Sequence, residues 1–318
     1  MANDTFLVID PGAFTTIQDL GRFGYQTLGV PISGAMDAYS ARAANILAGN
    51  SQTSAVLEMT IRGCTLAVMR NARVALTGAR AGIRHNSMQR PSWSAFEVEP
   101  GDLLRISQVS LGCRIYMAVG GGFEVPLVMG SRSTCVQAAL GGLNGRALQK
   151  GDFLPAGHAE KSPGQNAVPG EFIPEMGQDT KLHCVPGPQE HMFQDKGRDL
   201  FTSPYTVTQR ADRRGIRLDG PQIQHSHQSP GAIVSEPILP GNIQVPADGQ
   251  PIILLREQTT GGYPKIATVV STDLSKLGQV IPGDSITFVS VTAQQARDMS
   301  LEEQERFKSL QNMLWQET

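Results

Sequence analysis

Val98-Glu99-Pro100-Gly101-Asp102-Leu103-Leu104 sets a Pro-Gly turn directly before an apolar run, and Val280-Ile281-Pro282-Gly283-Asp284-Ser285-Ile286 sets the same turn before another. Proline presets φ at the second turn position and glycine accepts the positive φ of the third. Each string therefore reads as a type II turn that launches a strand. Lys150-Gly151-Asp152-Phe153 is a third, looser copy. An echo between the two parts of the chain suggests a duplicated β-rich unit.

Outward from these strings, short apolar runs recur at residues 65–69, 74–77, 103–107, 114–119, 252–255 and 285–291. Turn residues bound most of them, and 34 glycines and 20 prolines punctuate the chain throughout. That spacing predicts a mainly β barrel or sandwich with few helices. One helix is expected over residues 38–48, with Asp37 as N-cap and Gly49 as the stop. A helical turn follows Thr272 and ends at Gly278. The longest helix is expected over residues 301–315, where Ser300 and Glu303 form a capping box and Leu301, Phe307, Leu310 and Leu314 share a face. It reads as a tail that covers an open barrel end or meets a partner.

A chain of 318 residues is long enough for two domains. Residues 155–179 are rich in Pro, Gly, Gln, Ser and Glu and poor in large apolar side chains. The expected division is a first domain over residues 1–155, a linker over 156–180, and a second domain over 181–318 that carries the tail helix. Lys plus Arg number 27 and Asp plus Glu 29, a net charge of −2. This balance argues against a nucleic-acid-binding surface. No run reaches the about 18 apolar residues of a membrane span. The opening MANDTFLVIDPG has no basic stretch ahead of an apolar core, so no secretory signal is expected. Cys64, Cys113, Cys135 and Cys184 form no CxxC pair and read as reduced, buried thiols of a cytoplasmic protein.

No GxxxxGK[ST] phosphate loop is present. The glycine clusters at residues 120–122 and 141–145 are hairpin turns or, alternatively, anion cradles with Arg132 or Arg146 as counter-charge. Ser33 lies outside any GxSxG elbow and reads as a turn residue or a hydrogen-bonding ligand. His225 and His227 flank Ser226 and can share a strand face, but a third metal ligand at known spacing is missing, so no metal is expected. Asp37 is either a helix cap or a general base, and Asp212 either a turn ion pair or an acid/base group. Arg256-Glu257-Gln258-Thr259-Thr260-Gly261-Gly262-Tyr263-Pro264 gathers an amide, two hydroxyls, a flexible glycine pair and a phenol after an apolar strand. That set of neutral donors and acceptors suits a small amide or carboxylate ligand, or a structural loop.

Several strings together carry a family resemblance. They are Thr15-Thr16-Ile17-Gln18-Asp19-Leu20-Gly21-Arg22, GVPISGAMD (residues 29–37), Ala44-Asn45-Ile46-Leu47 with Gly49-Asn50, and Gly130-Ser131-Arg132-Ser133-Thr134. Gly141-Gly142 with Gly145-Arg146, Asp212-Arg213 with Gly215, QTTGGYP (residues 258–264) and Pro282-Gly283-Asp284 complete the set. In order and spacing they cover nearly the whole chain. The sequence resembles the family of 5-oxoprolinase C components, also described as KipA or allophanate hydrolase subunit 2-like, of biotin-dependent carboxyltransferase domains. It departs from that pattern at Arg214, where the family usually has Met, and at Arg256-Glu257, where Asp-Arg or Asp-Gly is more usual.

The resemblance implies two tandem cyclophilin-like β-barrels. It also implies partners: a KipI-like B component and a LamB/YcsF-like A component of 5-oxoprolinase, with which the chain would form a hetero-oligomeric hydrolase. That assembly uses ATP to open the lactam of 5-oxo-L-proline to L-glutamate. An alternative is a carboxyltransferase domain acting with biotin on urea or a similar small amide. The chain lacks an A-M-K-M biotinylation segment, so that route needs a separate carrier. A third alternative is a non-catalytic KipA-like regulator of a kinase-inhibitor protein. The site is expected where the GVPISGAMD and QTTGGYP loops meet. Asp37 and Gln258 would be catalytic, and Ser33, Asn50, Arg132, Arg146, Thr259, Thr260 and Tyr263 would bind substrate.

Overall fold

The computed structural model describes residues 4–159, 163–226 and 231–315. The three Gly-Asp strings form one and the same clamp. Gly101, Gly151 and Gly283 take φ of 95°, 92° and 98°. In each copy the aspartate N–H closes the turn onto the carbonyl three residues back, on Glu99, Gln149 or Ile281. Its Oδ2 accepts the N–H of that same residue, at 2.8, 2.7 and 2.9 Å. The glycine N–H and the aspartate C=O then pair with the C=O and N–H of a valine on a neighbouring strand, Val68, Val8 or Val207. The loosest copy in sequence is thus equal in structure, and the echo is a repeated clamp.

The chain divides into two compact units, residues 1–23, 33–176 and 305–318 in the first and 24–32 with 177–304 in the second. The first unit contains β1 (Asp4–Asp10), β2 (Phe14–Gln18), α1 (Ala38–Ala48), β3 (Val56–Thr60), β4 (Thr65–Val68), β5 (Ala72–His85), β6 (Met88–Arg90), β7 (Ser94–Val98), β8 (Leu103–Val119) and β9 (Phe153–Pro155). Its nine strands make one curled sheet in the order β2-β3-β8-β4-β1-β9, with β5 joining β8 to β6 and β7. The runs expected at 103–107 and 114–119 are the two ends of the single strand β8, whose register with β5 slips three times. Gly78 permits one crossing, because a Cβ there would lie 2.4 Å from the Arg114 carbonyl. Phe6, Ile17, Leu57, Leu66, Leu76 and Met117 pack inside the curl.

α1 packs on the other face, with nine of its eleven residues buried. Its alanines 41, 43, 44 and 48 bring the helix close to the strands. The Asp37 cap and the Gly49 stop are observed.

The second unit contains β10 (Asp179–Pro186), β11 (Tyr205–Ala211), β12 (Gly215–Asp219), β13 (Glu236–Pro237), β14 (Asn242–Gln244), β15 (Ile252–Leu254), β16 (Thr260–Gly261), β17 (Lys265–Val269), α2 (Leu274–Leu277) and β18 (Ser285–Ser290). Seven of these strands close into a barrel in the order β10-β17-β14-β15-β12-β11-β18, and β13 pairs with β16 beside it.

The tail helix α3 (Ala293–Trp315) starts earlier than expected. Thr292 and Gln295 supply the capping box: Gln295 N–H donates to Thr292 Oγ1, and Thr292 N–H donates to Gln295 Oε1. Phe307, Leu310 and Leu314 are buried, whereas Leu301 is half exposed. These three side chains belong to the core of the first unit, beside Tyr39 and α1, so the tail helix is not an element of the second unit alone. The polar stretch expected as a linker also differs. Val168 and Phe172 are buried in the first unit, and backbone bonds from Ala95 to Asn166 and from Val168 to Trp93 strap it there. Among the described residues no helix is long and apolar enough to cross a membrane. All four cysteines are free and buried, and burial pushes the Cys64 thiol up to about 12.

The three clamp aspartates sit in different fields. The Glu99 backbone N–H, then Asn86 and His85, hold the Asp102 carboxyl down at about 2. The Arg146 guanidinium lowers Asp152. Burial raises Asp284. A carboxyl lowered in the folded state stabilises the fold above its ordinary value of 3.8 and loses that contribution as pH falls toward the folded value. Asp102→Ala is therefore expected to cost about 1–3 kcal/mol at pH 7. Urea unfolding between pH 4 and pH 2 should then show a shallower acid-induced loss in the variant than in the wild type.

Candidate functional site

The family strings of the first unit lie in a buried polar frame. Asp19 accepts from the Gly21 N–H, the Arg132 N–H, and the hydroxyls of Ser131 and Ser133. Gln18 donates to the Thr134 carbonyl and accepts from the Gly34 N–H. Arg22 is fully buried and donates to the Val128 and Ser133 carbonyls. Glu58 receives the Met36 N–H and the Tyr116 hydroxyl, each at 2.7 Å.

The site residues expected in this unit are placed as follows. Asp37 accepts the Ser40 N–H at 2.9 Å through one carboxylate oxygen and the Ser40 hydroxyl at 2.6 Å through the other, which is the capping alternative. Asn50 donates to Asn45 and to the Val119 carbonyl, and accepts the Gly121 N–H. Arg146 forms a two-pronged pair with Asp152 at 2.7 and 2.8 Å, and Arg132 Nε donates to the Val125 carbonyl. Ser33 is buried in a left-handed turn at φ 55°, and its hydroxyl has no partner among the described residues.

In the second unit Gln258, Thr260 and Tyr263 line one cleft of ≈ 660 Å³, together with Gln209, Arg210, Asp212, Arg214, Arg217 and Gln244. Thr259 is not on its wall; its carbonyl accepts the Ile238 N–H. Asp212 pairs with Arg214 at 2.8 Å across its turn. This is the turn ion pair, and it holds the carboxyl low against the burial that raises it. His225 Nε2 lies 3.0 Å from the Pro246 carbonyl, and His227 falls outside the described residues.

Two features of this cleft were not anticipated. The first is Gln244, a glutamine between the buried apolar residues Ile243 and Val245. Its side chain is almost wholly hidden (3% exposed), and its Nε2 donates to the Tyr263 carbonyl at 3.0 Å. That bond fixes the amide plane, and Oε1 has no partner among the described residues. Gly261 makes room for it, since a Cβ there would sit 2.2 Å from Gln244 Nε2. The signal was a polar amide inside an apolar run.

The second feature is the ion pair between Arg213 and Glu257 at 2.5 Å, with both side chains at least nine-tenths buried. It joins the Asp212–Gly215 turn to the loop that carries Gln258, reinforced by backbone bonds from Leu255 to Arg214 and from Glu257 to Arg213. Two positions read separately in the sequence are one fastening.

The chain matches the family model for the carboxyltransferase domain, subdomain A and B, over residues 28–290. It belongs to that family. It is 34% identical over 307 residues to the C component of 5-oxoprolinase from Escherichia coli (strain K12), covering 95% of this chain and 96% of that protein. It is also 34% identical to the urea amidolyase of Saccharomyces cerevisiae, covering 94% of this chain but 17% of that protein. Among solved structures, Kluyveromyces lactis urea carboxylase superposes with a TM-score of 0.90 at 32% identity, over 96% of this chain and 29% of that one. The urea amidolyase of K. lactis gives a TM-score of 0.89 at 31% identity, over 96% of this chain and 20% of that one. This chain thus spans less than a third of the fungal proteins it superposes on, and nearly all of the bacterial protein.

Removing one partner of a buried ion pair leaves the other charge unsolvated, which costs about 3–5 kcal/mol. Glu257→Ala is expected to lose stability on that scale in chemical denaturation, and Glu257→Gln less, because its amide still accepts a hydrogen bond from Arg213.

Proposed function

We propose that this chain is the C component of a 5-oxoprolinase, and that the second-unit cleft holds the small cyclic amide. The observation that carries the reading is the oriented Gln244 amide beside Gln258 and Tyr263 on one wall. An amide ligand offers one N–H and one C=O, and glutamine side chains match both. An amide is also a stable electrophile, so holding it in one plane and donating to its carbonyl oxygen supply much of what the reaction needs. The 34% identity to a bacterial protein of that name, across 95% of this chain, supports the assignment.

Turnover to L-glutamate is assigned to the assembly with the A and B components. The chain's sequence has no phosphate loop, so its residues do not fit a P-loop nucleotide site, and ATP is assigned to the assembly as a whole. The family's carboxyltransferase model and the urea carboxylase superposition favour a second reading: transfer of a carboxyl group from a biotin carrier to a small amide. The same cleft would hold that acceptor.

The isolated chain is expected to show no 5-oxo-L-proline turnover, and ATP-dependent turnover should appear when the A and B components are added. Within that assembly Gln258→Ala is expected to lower kcat/KM about 10²-fold, roughly 2.7 kcal/mol, with unchanged melting temperature, and Gln244→Ala to lower it as much while also lowering the melting temperature, because the Tyr263 carbonyl loses its buried partner. Asp37→Asn should instead lower the melting temperature while turnover per folded molecule is kept. Bicarbonate- and biotin-dependent carboxylation of urea, with no glutamate formed from 5-oxo-L-proline, would select the second reading.

A further inference from the structure

We infer that the second-unit cleft takes a ligand that carries a carboxylate, and that Arg210 is the cation that receives it. The inference rests on the reading of this cleft as the small-amide site and adds the ligand's second chemical group.

The backbone makes the first argument. Between Val207 and Ala211 β11 advances four residues while its partner β12 moves only two, from Leu218 to Ile216. In a regular strand consecutive side chains face opposite sides. Across this bulge Gln209 and Arg210 both line the cleft. Thr208 holds the bulge: its hydroxyl donates to the Arg217 carbonyl at 2.8 Å and accepts the Arg210 N–H at 3.2 Å. Bulges commonly re-aim side chains beside functional sites.

Charge makes the second argument. Arg210, Arg214 and Arg217 line the cleft against one carboxylate, Asp212. Arg214 is held by Asp212 through Nε at 2.9 Å and Nη2 at 2.8 Å. Arg217 is held by Asp248. Arg210 has no carboxylate partner among the described residues. The whole chain carries a net −2, so a positive cleft is a local feature and not the general sign of the surface. Clefts of one sign concentrate ligands of the other, and a guanidinium meets a carboxylate through two parallel hydrogen bonds. With Gln209, Gln244 and Gln258 nearby, the ligand class is a small amide or lactam bearing a carboxylate, in preference to a neutral amide such as urea.

The test uses the full chain and three probes: 5-oxo-L-proline, its uncharged 5-oxo-L-prolinamide, and acetate. Arg210 is exposed, so Arg210→Ala and Arg210→Lys should keep the fold. The wild type should bind 5-oxo-L-proline about 10-fold or more tightly than the amide, the scale of one charged hydrogen-bonded contact. Arg210→Ala should abolish that preference without changing affinity for the amide, and Arg210→Lys should restore part of it. Equal binding of both lactams by the wild type, or a parallel loss of both in Arg210→Ala, overturns the carboxylate assignment and leaves the small-amide reading standing. If neither lactam binds but acetate shifts the Arg210 side-chain NMR signal, the anion subsite stands and the small-amide reading fails. No response to any of the three overturns both.

Discussion

A strand that begins at a turn leaves backbone donors and acceptors facing solvent or core, and each must find a partner. The Gly-Asp clamp solves this with two adjacent residues. The aspartate closes its own turn through the backbone, caps it through the side chain, and presents a carbonyl to the adjacent strand, while the glycine N–H completes the pair. Both units use it: Val8 and Val68 receive it in the curled sheet, and Val207 receives it in the closed barrel. Nothing lies within 4 Å of a Cβ built on Gly101, Gly151 or Gly283. The glycine is therefore demanded by the sign of φ and not by crowding, a cost of about 1–2 kcal/mol for any residue with a side chain. Val207, held by the third clamp, is also the last regular residue before the bulge that carries Arg210. The barrel's register and the cleft's geometry meet at that point.

The family strings serve different physical ends in the two units. In the first, TTIQDLGR, the residue 33–37 part of GVPISGAMD and GSRST are joined by hydrogen bonds through Asp19, which is partly buried, and through Gln18, Glu58 and Arg22, which are almost wholly withdrawn from water. A buried polar network is costly unless nearly every member is satisfied, which restricts the residues that can occupy those positions. In the second, QTTGGYP borders open space. Its glycine admits the Gln244 amide, and the carbonyl of its tyrosine orients that amide.

Much of the fold was legible because local chemistry sufficed. Pro-Gly turns, the Asp37 cap with the Gly49 stop, and short apolar runs each depend on residues close in sequence. What escaped depends on distance. β8 looked like two strands because its middle is polar, and it continues only because β5 runs alongside it for most of its length. The start of α3 was masked by a second plausible capping pair eight residues downstream. Residues 156–180 looked like a linker because their composition is polar, yet buried Val168 and Phe172 and the backbone bonds at Asn166 and Val168 bind the middle of that stretch to the first unit. In the site, Gln258, Thr260 and Tyr263 were legible as a loop rich in neutral donors. Gln244 and Arg210 were not, because each owes its position to a strand partner.

The cleft's chemistry follows from how its charges are already committed. An arginine tied to a carboxylate is screened by it, and its remaining donors are fixed in direction. Arg214 and Arg217 are in that condition, so they shape the potential of the cleft more than they contact a ligand. Arg213, buried and paired with Glu257, holds the two walls at a set spacing and contributes no free charge. The neutral amides then decide orientation, since a hydrogen bond from Gln244 is directional and its plane is fixed by the Tyr263 carbonyl. One wall therefore supplies direction through amides, and the bulge supplies net charge through a single guanidinium. On the proposed reading, a ligand satisfying both carries an amide and an anion in one small molecule, as a five-membered lactam with a carboxylate beside its nitrogen does.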